Sequence, residues 1–131
     1  MGRLRILVVE EDVAIGPLLA EMLEDLGAVV CGVEVDESRA AEAAARCRPD
    51  LMIVDVGLGA TSNVNAVKEI LLDGLVPCVF VTDANLREST LWPGAVLVRK
   101  PFRGPEIVAA IGRAIGESAR GIAAAPPLVG R

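Results

Sequence analysis

Five short apolar runs punctuate this chain, and a charged residue closes or directly follows every one. The runs are RILVV (Arg5–Val9), AVVCGVE (Ala28–Glu34), DLMIVD (Asp50–Asp55), VPCVFVTD (Val76–Asp83) and GAVLVRK (Gly94–Lys100). Each is short and rich in β-branched residues, so each reads as a strand. Helical spacing fills the intervals. Val13–Gly27 places Leu18, Leu19, Met22, Leu23 and Leu26 on one face, with Gly27 as its stop. Pro17 leaves two starts open: proline at the first helical position, or a kinked first turn. Glu37–Cys47 is an Ala-rich helix stopped before Pro49. Val64–Gly74, a short Asn85–Thr90 segment and Gly104–Ala119 complete the helices.

Strands that alternate with helices give a parallel sheet covered on both faces. The predicted class is α/β: a flavodoxin-like, doubly wound, five-stranded sheet in the order 2-1-3-4-5. Residues 1–118 read as one domain, and 119–131, with Pro126-Pro127, as a flexible tail.

Composition narrows the function. Hydrophobic residues are 53% of 131 and aromatics 2%, so the core must be aliphatic. Few aromatics and a net charge of -5 argue against direct nucleic-acid binding. There is no histidine, which excludes histidine-based catalysis and metal ligation. Cys31, Cys47 and Cys78 are widely spaced and odd in number, and are expected to be reduced, mostly buried thiols. No run approaches the ~18 apolar residues of a membrane span. The opening MGRLRILVVEED does not read as a signal peptide, and a cytoplasmic location is expected.

In open α/β sheets the working residues gather at the carboxyl ends of the strands. Strand one delivers Glu10, Glu11 and Asp12; strand two, Glu34 and Asp36; strand three, Asp55; strand four, Thr82 and Asp83; strand five, Arg99 and Lys100. In the 2-1-3-4-5 order, acids, an aspartate, a hydroxyl and a lysine meet at one edge. Clustered carboxylates repel unless a cation sits between them, and hard oxygen donors suit Mg²⁺. A lysine and a hydroxyl would bind phosphoryl oxygens. The set reads as phosphoryl transfer to a carboxylate, with Asp55 as nucleophile.

These segments resemble the receiver domain of two-component response regulators, especially the stand-alone, single-domain type. The matches are ILVVEED, PDLMIVDVGL, VFVTD and VLVRKPF, in that order, within residues 3–118. The resemblance implies a phosphoacceptor at Asp55 and phosphate contacts from Thr82 and Lys100. It implies Mg²⁺ or Mn²⁺ on Glu10, Glu11, Asp55 and the Gly57 carbonyl. A histidine on a sensor kinase or phosphotransfer protein would be the donor. The domain would be no enzyme in its own right, although it would assist its own phosphoryl transfer and hydrolysis. It would signal through a downstream protein at the strand-five face, with homodimerisation left open.

Four features depart from the family pattern. Glu11 replaces the usual metal-binding Asp, and Asp83 follows Thr82 where Ala or Gly is usual. Leu97 occupies the aromatic switch position, and GLGATSNVN lacks the usual Pro and later Gly after the acceptor. They motivate an alternative: a pseudo-receiver that binds partners without phosphorylation. A nucleotide- or flavin-binding enzyme fits poorly, because the acidic first turn lacks GxGxxG and Walker patterns.

Overall fold

A computed structural model describes residues 3–55, 76–82 and 96–118. The expected helices Val64–Gly74 and Asn85–Thr90, the tail, Gly57 and Asp83 lie outside the described residues. Five strands form one sheet: β1 Arg5–Val9, β2 Val29–Glu34, β3 Leu51–Asp55, β4 Cys78–Thr82 and β5 Val96–Arg99. Every pairing is parallel, and the order is β2-β1-β3-β4-β5, as predicted. Three helices are described: α1 Ile15–Asp25, α2 Glu37–Cys47 and α3 Gly104–Ser118.

The strand alternation sorts the core into two layers. Ile6, Val8, Leu51, Ile53, Val79 and Val81 face one way and pack with Leu19 and Leu23 of α1 and Ile107 and Ile111 of α3. Leu7, Val9, Met52, Val54, Cys78 and Phe80 face the other way and pack with Ala40 and Ala43 of α2. All five positions of β3 and of β4 are buried, which is why both read as continuous apolar runs. Each large aliphatic buried there contributes about 1.5–3 kcal/mol.

Local chemistry sets the helix ends. Asp12 turns the chain into α1: its carboxylate accepts from the Ala14 amide at 2.8 Å, and its carbonyl from the Ile15 and Gly16 amides. The helix therefore begins before Pro17, whose missing N–H falls in a first turn that has no intrahelical acceptor to satisfy. At the other end Gly27 takes φ 100°, and its amide bonds the Glu24 carbonyl, so the glycine stop holds. Asp36 caps α2 by accepting from the Arg39 amide at 2.9 Å. α2 ends on a left-handed Arg48 before Pro49, and the Arg5 guanidinium donates to the Cys47 carbonyl.

One expectation is overturned. Cys31 of β2 and Cys47 of α2 are joined in a disulfide, with Cα atoms 6.1 Å apart; Cys78 alone is a free, buried thiol. Sequence spacing hides the pair because the β2–α2 turn folds the chain back on itself. A register shift between Ile6 and Leu7 leaves Cys31 as an extra residue on β2.

Candidate functional site

Parallel register aligns the strand ends. Val9 pairs with Val54, so the next residue, Glu10, stands beside Asp55. Asp55 pairs with Val81, which brings Thr82 to the same edge. Thr82 pairs with Arg99, and its carbonyl accepts from the Lys100 amide at 2.8 Å, which carries the ladder one step past β5. Lys100 then turns into Pro101 through a cis peptide.

Among the described residues, Glu10, Asp55 and Thr82 are the buried polar ones, at 4%, 6% and 0% exposure. Lys100 Nζ forms a close ion pair with Asp55 Oδ2 and lies 3.8 Å from Glu10 Oε1. A half-exposed lysine thus balances two carboxylates taken out of water. The Glu10 carboxyl is pushed up to about 7, first by burial and then by a hydrogen bond to Asp55 and that residue's charge. The Asp12 amide, which donates to Glu10 Oε2 at 3.1 Å, and Lys100 pull it back.

Glu10 Oε1 is buried and accepts no hydrogen bond. A buried carboxylate oxygen with no hydrogen-bond donor, beside a second carboxylate, suits a hard divalent cation, so the donor set fits one. Among the described residues no three acidic or thiol side chains gather as metal ligands; Glu10 and Asp55 are two, and Gly57 lies outside. Glu11 is exposed. Asp12 is exposed and bonds the turn into α1 rather than joining the pocket, and Asp36 caps α2. Sequence reasoning missed the direct grip of Lys100 on Asp55. The scarcity of lysine, with Lys68 the other one, singled out Lys100 without giving its contact.

Sheet order and strand-end residues define a receiver domain of the response-regulator class. The chain is 32% identical over 115 residues to PdtaR, a transcriptional regulatory protein of Mycobacterium tuberculosis, covering 85% of this chain and 56% of that one. It thus spans little more than half the length of that curated relative. The receiver domain of the Erythrobacter litoralis PhyR response regulator superposes with a TM-score of 0.74 at 29% identity, covering 88% of this chain and 92% of that one. Vibrio cholerae chemotaxis protein CheY4 shares the fold at TM-score 0.74 and 20% identity, covering 86% and 99%. No protein-family model matches the chain. Among the described residues no helix is long and apolar enough to cross a membrane.

Proposed function

We propose that this domain accepts a phosphoryl group on Asp55 from a phosphohistidine of a sensor kinase or phosphotransfer protein. The observation that carries this reading is the buried Asp55 carboxylate, beside Glu10 and bound by Lys100, at the strand edge that Thr82 shares. An Asp55 oxygen attacks phosphorus, the bond to the histidine nitrogen breaks, and the nitrogen keeps the electron pair. Lys100 stays as the cation beside the new acyl phosphate, and the Thr82 hydroxyl donates to a phosphoryl oxygen. Hydrolysis returns the carboxylate.

Glu10 and Asp55, with Glu11 and the Gly57 carbonyl as the resemblance implies, would hold Mg²⁺ or Mn²⁺. When bound, the ion offsets negative charge on the entering group. The output surface is the β5–α3 face, where Leu97, Val98, Arg99, Glu106 and Arg113 line a groove of about 630 Å³. A downstream protein would read the phosphorylated state there.

Beryllofluoride with Mg²⁺ tests this reading. Wild type should shift the Thr82 and Lys100 amide resonances, and Asp55→Ala should not. Unchanged wild-type resonances would refute it. The exposed Glu11 favours a second reading, a pseudo-receiver whose partner binding ignores Asp55. That reading expects Asp55→Ala to bind the partner as wild type does, and weakened binding would sink it.

A further inference from the structure

The Cys31–Cys47 bond lies away from the pocket, and the proposed phosphoryl chemistry does not use it. Three observations give it a distinct role. First, Cys31 is the extra residue of the β1–β2 bulge: Val30 pairs with Ile6 and Gly32 with Leu7, and Cys31 falls between. Cys31 lies on the face that α2 covers and packs against that layer. Second, the Cα separation of 6.1 Å suits a disulfide without backbone movement, and the Arg5 guanidinium anchors the Cys47 end by two bonds to its carbonyl. Third, the bond ties down the edge strand. Among the described residues β2 pairs with β1 alone, and it is half-buried at all six positions, so a tie to α2 adds hold where the sheet is least enclosed.

Cys78 differs on each count. It sits in β4, fully enclosed, and burial pushes its thiol up, so thiolate chemistry is suppressed there. The half-buried Cys31 offers a route for exchange that Cys78 lacks.

We propose that Cys31 and Cys47 form a redox-operated clasp between β2 and α2, closed by a small-molecule disulfide and opened by its thiol. In closing, one cysteine thiolate attacks the small disulfide, forms a mixed disulfide and expels one small thiolate. The second cysteine, after losing its proton, attacks the protein sulfur of that mixed disulfide and expels the second small thiolate. The protein loses two protons and two electrons, and the small disulfide becomes two thiols. Opening reverses each step. The closed clasp slows local opening of β2 and α2 and leaves β3 and β4 unaffected.

The test uses the full chain equilibrated in oxidised or reduced glutathione. Samples are unfolded, alkylated with N-ethylmaleimide and weighed, and parallel samples are followed by amide hydrogen exchange. Oxidised protein should carry one label and reduced protein three. On reduction, amides of β2 and α2 should exchange at least about tenfold faster, and those of β3 and β4 at an unchanged rate. Cys31→Ser should exchange like reduced wild type in both buffers. If that variant does not fold, the two wild-type states decide the matter alone. The same label count in both buffers would overturn the clasp, and so would one and three labels with equal exchange.

Discussion

β3 and β2 lie on either side of β1, yet they solve opposite problems. β3 is buried at every position and carries Asp55 at its end, and β2 is half-buried throughout and carries a bulge and a disulfide. An enclosed strand needs no covalent help, because two neighbours and two core layers hold it. That rigidity lets Asp55 and Glu10 stay out of water beside Lys100. The edge strand lacks such enclosure, and its link to α2 is made by a cross-link. Enclosure in the middle fixes the chemistry; fastening at the edge sets how tightly the frame around it is held.

Truncation tests the contrast most severely. Ile53→Ala in β3 should cost about 4 kcal/mol, and Val30→Ala in β2 about 1 kcal/mol, by denaturant titration. Equal losses would break the comparison. The pocket's own contribution depends on pH. Folding raises the Glu10 carboxyl from 4.5 to about 7, so the folded state binds that proton more tightly than the unfolded chain. The resulting stability is fully present below about 4.5 and is lost as pH rises through about 7. Protein held with a chelator should lose up to about 3 kcal/mol across that window, and Glu10→Gln should flatten the curve. A wild-type curve already flat would remove burial as the dominant influence on Glu10.

Smaller effects belong to the helix entries. Asp12→Ala should cost about 1 kcal/mol by thermal melting, because it removes the acceptor for the Ala14 amide. Arg39→Ala should leave the melting temperature unchanged, since its 3.8 Å contact to Asp36 joins two exposed side chains.

Much of this was legible in the residues. Apolar runs and helical spacing gave the sheet order, and the strand-end rule brought Glu10, Asp55, Thr82 and Lys100 to one edge. Three things were not legible. Which of two adjacent glutamates turns inward depends on where β1 ends; Glu10 is buried and Glu11 exposed. The grip of Lys100 on Asp55 is a side-chain contact made one residue past the end of β5, which strand patterns do not describe. Cys31 and Cys47 meet because α2 packs across the face of β2 that carries Cys31, and apolar patterning does not reveal which cysteines such packing brings together.

The central claim is that Asp55 accepts a phosphoryl group. Its most direct test is intact-mass spectrometry of the protein with Mg²⁺ and a small acyl phosphate donor. Wild type should gain the mass of one phosphoryl group, and Asp55→Asn should gain none. No gain on wild type, or the same gain on Asp55→Asn, would contradict the claim.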